Sequence, residues 1–257
     1  MLLVIDIGNT NIVLGVYRDD QLIQSWRVRT ERQTTEDEFH LLVNQLFLSG
    51  KLNINDVSQT IISCVVPPIV GVLDSFCKKY LNHSPFWVTA HNVSMPVCLK
   101  NPDEVGADRL VNAIAAFQKY GGNLIVIDFG TATTFDCISF KGEYLGGAIS
   151  PGIMIASEAL FMNASKLPRV DIYKPPQHVI GKDTQESIQS GIIFGYAGLV
   201  DGIVKRISKE MGKKPTIIAT GGLAGLMAEV SEYIEYVETD LTLEGLRLIA
   251  KKALLKT

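Results

Sequence analysis

The feature that most limits the fold is a near-repeat, "VIDIGNTN" at residues 4–11 and "VIDFGTAT" at residues 126–133. Each copy is an apolar strand that reaches an aspartate and a glycine and then runs into a polar turn. The copies are offset by 122 residues (126 − 4), close to half of the 257-residue chain. A five-residue match can arise by chance, but strand, Asp-x-Gly turn, strand and then helices follow in both halves. The pattern predicts a duplicated pair of α/β domains with a mixed sheet in each.

The elements between the repeats support that reading. Residues 2–7 and 12–17 read as strands joined by Gly8, Asn9 and Thr10, a hairpin rather than a strand-to-helix turn, and residues 22–30 alternate as a half-buried strand. Thr35 and Glu38 fit a capping box ahead of a helix whose stripe is Phe39, Leu42, Val43 and Leu46, with Gly50 past its end. A buried strand over 60–68 is stopped by Pro67 and Pro68; a helix over 71–81 and a strand over 85–90 follow. After residues 101–109 comes a helix with Leu110, Ile114 and Phe117 on one face, ending near Gly121 and Gly122. The second half reads strand, turn, strand, turn, strand over 123–149, then a long helix over 184–211 with Ile188, Ile192, Leu199, Ile203 and Ile207 in a stripe. "PTIIATGGLAG" and a terminal helix on Leu243, Leu246, Ala250 and Leu254 complete it.

Composition removes several function classes. With 47% hydrophobic and 20% charged residues the chain can bury full globular cores. A net charge of −3 with no Lys/Arg block gives no field for gripping nucleic acid. Cys64, Cys77, Cys98 and Cys137 lie far apart without a C-x-x-C, which predicts reduced thiols rather than a zinc site or a disulfide framework. "MLLVIDIG" lacks the basic start of a signal peptide, and no uninterrupted apolar run approaches the ~20 residues of a membrane helix. These features predict a soluble cytoplasmic protein with neither a nucleic-acid nor a membrane partner.

Glycine after a buried strand admits a ligand close to the backbone, and neighbouring Asn and Thr add donors, so such turns can cradle phosphate. In the first copy the donors are Asn9, Thr10 and Asn11; in the second they are Thr131, Thr133 and Thr134. A strand-end carboxylate, Asp6 or Asp128, stands at the mouth of each, and carboxylate beside phosphate calls for a cation. The plainer alternative is two tight hairpins, each aspartate capping its own turn. "ATGG" at 219–222 offers a Gly221–Gly222 backbone on which an adenine or ribose can lie, though glycines between strand and helix are common. Asp108 and Arg109 enter their helix in its first turn, where a carboxylate either stabilises the helix or serves as a base beside an arginine fork. Neither a P-loop nor a G-x-G-x-x-G is present, and His40, His83, His91 and His178 share no spacing.

The ordered set "DIGNTN" (6–11), "NPDEVGADR" (101–109), "VIDFGTATTFD" (126–136), "GGAISPGI" (146–153), "GKDT" (181–184) and "ATGG" (219–222) resembles the type III pantothenate kinase family over nearly the whole chain. That resemblance implies a duplicated actin-like (ribonuclease H-like) ATPase fold, a mixed five-stranded sheet flanked by helices in each of two domains, 1–117 and 118–257. It implies ATP-dependent phosphorylation of pantothenate, the first step of coenzyme A synthesis. Asp6, Ile7, Gly8, Asn9, Thr10, Asn11, Ile12 and Val13 map to ATP binding, with Asp6 acting on Mg²⁺ through water. Thr131 maps to an ATP contact, joined by Gly221 and Gly222, while Asp128 matches the ligand of a monovalent cation, K⁺ or NH₄⁺. Gly106, Ala107, Asp108 and Arg109 map to the pantothenate site, with Asp108 as general base. Thr184 matches a substrate contact across a homodimer interface. One departure is Leu99, where the family often carries tyrosine. An aspartate of ordinary low pKa suffices as base, because the hydroxyl proton becomes acidic only as the P–O bond forms. Rival classes are another kinase or phosphatase on the same fold, acting on sugar or polyphosphate, and a non-enzymatic regulator.

Overall fold

The computed structural model describes residues 1–254, the side chain of Leu254 excepted, so the expected place of Leu254 in the terminal stripe lies outside the described residues. The first half of the chain forms β1 (Leu2–Ile7), β2 (Asn11–Arg18), β3 (Gln21–Arg29), α1 (Glu36–Ser49), β4 (Gln59–Cys64), α2 (Val70–Tyr80), β5 (Phe86–Trp87) and α3 (Ala107–Tyr120). The second forms β6 (Leu124–Phe129), β7 (Ala132–Ile138), β8 (Tyr144–Pro151), α4 (Ile153–Asn163), α5 (Thr184–Met211), β9 (Thr216–Gly221), α6 (Ala224–Ala228), β10 (Tyr236–Val237) and α7 (Leu241–Leu254). Two five-stranded mixed sheets result, ordered β3-β2-β1-β4-β5 and β10-β9-β6-β7-β8. In both, the repeat strand pairs antiparallel with the next strand and parallel with a later one, β1 with β2 and β4, β6 with β7 and β9.

The compact units are not simple halves. One comprises Met1–Met95, Lys100–Ala115 and the chain from Thr242; the other comprises Pro96–Leu99 and Ala116–Leu241. The expected boundary between 117 and 118 therefore falls inside α3, and α7 belongs with the first unit rather than the second. The reason is local packing, since Leu243 approaches Gly15 on β2 and Gly245 lies against Val111 on α3.

In the first unit Leu3, Ile5, Ile7, Ile12, Leu14 and Ile62 share a core with the helices α1 and α2. The capping box forms as read, with Glu38 N–H donating to Thr35 Oγ1 at 3.3 Å and Thr35 N–H to Glu38 Oε2 at 2.8 Å. The buried stripe of α1 is Phe39, Val43 and Phe47, while Leu42 is 39% exposed. Phe47 takes the place expected of Leu42 because Trp26 stacks on it, ring centroids 5.5 Å apart. β4 ends at Cys64, earlier than residue 68, since Pro67 and Pro68 have no N–H to give a ladder. β5 is two residues rather than six.

The second core gathers Ile125, Ile127, Phe129 and Phe135 under α5. By length and composition α5 is long and apolar enough to cross a membrane, although Asp201 interrupts its apolar run. Ile193, Val200 and Val204 along it are nevertheless buried in this core. Two elements were not foreseen, α4 and β10.

Candidate functional site

Side-chain alternation sets the site. Leu3, Ile5 and Ile7 point into the first core, so Asp6 lies on the opposite face of β1, half-buried, flanked in register by Val13 and Ser63. Ile7 and Ile12 are core side chains, which leaves their backbone as the part a ligand can reach. Beyond Asp6 the turn closes through Gly8 N–H to Asn11 O at 3.0 Å. Its far side is held by Thr30, whose N–H donates to Thr10 O at 3.0 Å and whose hydroxyl donates to Gly8 O at 2.6 Å. Arg32 Nη2 donates to Asn9 Oδ1 at 3.1 Å, placing a cation beside the exposed turn. Sequence reading missed Thr30 and Arg32, because only the β2–β3 pairing brings the end of β3 back to the first turn.

The same unit holds the start of α3. Gly106 O accepts from Leu110 N–H at 3.3 Å, which makes Gly106 the opening of the helix. Asp108 Oδ1 accepts the N–H of Arg109 at 2.8 Å. Burial nevertheless pushes the Asp108 carboxyl above the usual aspartate range, more than the Arg109 N–H and guanidinium pull it down. The ordinary low pKa expected from sequence is thus corrected. Cys64, at the end of β4, reports on the same place: its thiol is raised first by burial, and then by the charges of both Asp6 and Asp108. Both carboxylates thus lie near enough to the end of β4, within one unit, to act on this thiol. One helical turn beyond Asp108, Asn112 is buried and accepts from the hydroxyl of Thr242 at 2.7 Å, tying α7 to the helix that carries the carboxylate. Asn112 stands four residues after Asp108, which puts both on one face of α3.

The second unit repeats the strand geometry with different neighbours. Asp128 on β6 is flanked in register by Thr134 on β7 and Thr220 on β9. Its turn is one residue shorter, closing from Gly130 N–H to Ala132 O at 3.1 Å. Only Thr131 of the three threonines stands in the exposed turn. Thr133 is wholly buried on the face of Phe129 and Phe135, and Thr134 is a strand residue beside Asp128, so neither is the turn donor expected. Thr131 O accepts from Gly152 N–H at 3.1 Å at the start of α4, and a Cβ on Gly152 would collide with the Thr131 and Gly130 carbonyls. The Pro-Gly of "GGAISPGI" thus clamps the turn. Gly221, at φ +90, leaves room for Asp128: a Cβ there would fall 2.5 Å from Asp128 Oδ1 and 2.7 Å from Phe129 O. Its glycine is accounted for by that approach, with Gly222 exposed just beyond.

Thr184 is the first residue of α5, exposed, beside the N-cap Asp183 whose side chain accepts from Glu186 N–H at 2.8 Å. It lines a cavity of about 710 Å³ with Leu160, Leu167, Gly181, Lys182 and Gly191. Among the described residues no three His, Cys, Asp or Glu side chains are grouped to hold a metal ion.

Two mixed sheets of matching strand pattern, each with an aspartate and a glycine turn at the end of its first strand, define the class: a duplicated actin-like ATPase fold. A ROK hexokinase from Thermus thermophilus superimposes with a TM-score of 0.53 at 12% identity, covering 100% of this chain and 99% of that one. The model of the family described as type III pantothenate kinase matches residues 2–206. The type III pantothenate kinase of Desulfatibacillum aliphaticivorans is 64% identical over 250 residues, 97% of each chain. That of Desulforapulum autotrophicum is 62% identical over 252 residues, 97% of this chain and 96% of the other. The chain belongs to the type III pantothenate kinase family.

Proposed function

We propose that this chain catalyses the ATP-dependent phosphorylation of pantothenate to 4′-phosphopantothenate, the first step of coenzyme A biosynthesis, in the cytoplasm. The observation that carries this reading is family membership along nearly the whole chain, and the carboxylates of Asp6 and Asp108 near the end of β4 suit it.

Phosphoryl transfer requires in-line placement and charge neutralisation more than a strong nucleophile. Asp108 orients the primary hydroxyl of pantothenate and takes its proton late in transfer, while Arg109 holds a substrate anion and Gly106 and Ala107 shape the approach. Asp6 through Val13 bind the ATP phosphates through the N–H groups and polar side chains of the turn, and Thr131, Gly221 and Gly222 are further ATP contacts. A single carboxylate such as Asp6 fits Mg²⁺, which keeps several waters and takes its other ligands from phosphate. Asp128 fits K⁺ or NH₄⁺, with a threonine in register on either side and glycines at 130 and 221, where a Cβ would lie 3.5 Å and 2.5 Å from Asp128 Oδ1. When bound, these cations supply positive charge against the phosphate oxygens.

We also propose a homodimer in which Thr184 completes the partner's substrate site. Ile149, Met154, Ile155, Met162, Val179 and Ile180 are each at least 47% exposed in and beside α4 and α5, apolar side chains that a second copy would cover. Gly191 and Gly195 favour the same reading, since a Cβ at either meets nothing within 4 Å of its own chain. The test is an ATP-coupled assay with pantothenate against a panel of sugars, with and without potassium. Turnover confined to pantothenate is the expected result; turnover of a sugar instead would overturn the assignment.

A further inference from the structure

The second sheet buries a carboxylate that the reaction as read above does not use. Asp136, on β7, is wholly buried on the sheet face opposite the Ile125–Ile127–Phe129–Phe135 core. It accepts the hydroxyl proton of the buried Tyr144 at 2.6 Å through Oδ1, and that of Thr134 at 3.1 Å through Oδ2. Thr134 sits two residues back on the same face and is the direct register partner of Asp128. Side chains opposite each other in an antiparallel pair have Cβ atoms about 4.5–5.5 Å apart. A row of oxygens therefore runs from Tyr144 through Asp136 and Thr134 to Asp128.

The direction of the protons in that row gives it a use. A hydroxyl has one proton and two lone pairs, and an ionised carboxylate only accepts. Once Thr134 has given its proton to Asp136, what it turns toward Asp128 is lone-pair density. Such an oxygen beside a carboxylate attracts a hard cation and offers no proton to compete with it. We infer that Thr134 is a ligand of the monovalent cation at Asp128, and that Asp136 is a positioning residue which fixes the Thr134 hydroxyl in its accepting orientation. The inference rests on the reading of Asp128 as the cation ligand. It also explains why the second copy of the repeat carries threonine where the first has Val13 beside Asp6.

Substitutions separate the parts. Thr134→Val keeps the shape and removes the oxygen, whereas Thr134→Ser keeps the oxygen. Asp136→Asn reverses a proton: the shorter Tyr144 bond retains the amide oxygen, the amide nitrogen donates to Thr134, and the Thr134 proton turns toward Asp128. The readout is thermal unfolding titrated with potassium chloride against choline chloride at constant ionic strength, because a cation that binds only the folded state raises Tm with its concentration. Wild type and Thr134→Ser are expected to share a half-saturating potassium concentration, and Thr134→Val and Asp136→Asn to raise it about tenfold or more. A wild-type response in Thr134→Val overturns the ligand role. A weakened Thr134→Val beside an unaltered Asp136→Asn overturns the positioning role. No potassium-specific shift in wild type overturns the Asp128 reading and this inference together. If Asp136→Asn does not fold, the Thr134→Val and Thr134→Ser pair still decides the ligand role.

Discussion

Replacing Gly106 by alanine tests the placement of Asp108 without touching its chemistry. A methyl at 106 would press on Asp108 Oδ1 inside the 3.0 Å that real Cβ contacts do not breach, whereas ordinary contact starts at 3.4 Å. The oxygen must retreat by more than the 0.4 Å between those limits. The methyl's other neighbours, Asp108 Cγ and Val65 Cγ1, lie at a tolerable 3.5 Å. Because the obstacle is the tip of a side chain rather than backbone, the carboxylate swings aside and the helix stays. An off-rotamer side chain costs about 0.5–1.5 kcal/mol. For a chain of this size that lowers Tm by roughly 2–4 °C per kcal/mol. Catalysis is hit harder, since a displacement of about 1 Å in a reacting group costs on the order of 100-fold, or about 2.7 kcal/mol of barrier. The expected Gly106→Ala enzyme melts within a few degrees of wild type and turns over roughly 100-fold more slowly. On an Asp108→Ala background the same change should cost no further activity, since the clash is gone. A Gly106→Ala enzyme with wild-type kcat would refute the reasoning, and so would one that failed to fold.

Asp108→Asn is expected to abolish turnover while ATP still binds, measured by coupled assay and calorimetry; a near wild-type rate would remove Asp108 from the base role. The same variant has a stability sign. A carboxyl whose folded pKa is raised stabilises the fold while protonated, below its unfolded pKa, and loses that contribution as pH rises through the folded value. Asp108→Asn should therefore melt above wild type at pH 7, with the gap closing as pH falls toward 4. If Asp108 is the base, kcat/KM should fall on the acid side at a pH above the ordinary aspartate range, and Asp6→Asn should leave that limb in place. Exchange of potassium and ammonium for sodium should strongly reduce the rate, with equal rates in sodium counting against a cation at Asp128. Dilution below the dimer dissociation constant should lower specific activity in step with dissociation, and full activity in a proven monomer would sink the role given to Thr184.

What was legible in the sequence was whatever obeys a local period or a capping rule. The two hairpins, the capping box at Thr35 and Glu38, and the span of α5 follow from residues adjacent along the chain, and each formed where read. α4 escaped notice because its apolar residues keep no single stripe: Met154, Ile155, Leu160 and Met162 are all at least 40% exposed, and Ile153 alone is buried. A helix whose apolar surface faces outward does not carry the signature of one that packs on its own core. The placement of α7 in the first unit depends on contacts between residues more than 130 apart, such as Gly245 with Val111, which no window along the chain contains.

The repeat itself carries the clearest case. Read as strings, the copies suggest that Thr133 and Thr134 are equivalent turn donors, but strand alternation sends them to opposite faces, one into the core and one beside Asp128. The difference originates in turn length. Ile7 pairs with Ile12 and Phe129 with Thr133, so the second turn has three residues where the first has four. That one-residue deletion shifts the strand after the turn by one place relative to the alignment of the copies, and a one-place shift exchanges the two faces of a strand. Position 134 thereby comes to stand opposite Asp128, as Val13 stands opposite Asp6. Asp6 thus faces an apolar side chain on β2, whereas Asp128 faces Thr134, whose hydroxyl proton is given to Asp136. The proposed division between a water-bridged Mg²⁺ at one copy and a directly held monovalent cation at the other would thus follow from one deleted turn residue and the side chain it brings into register.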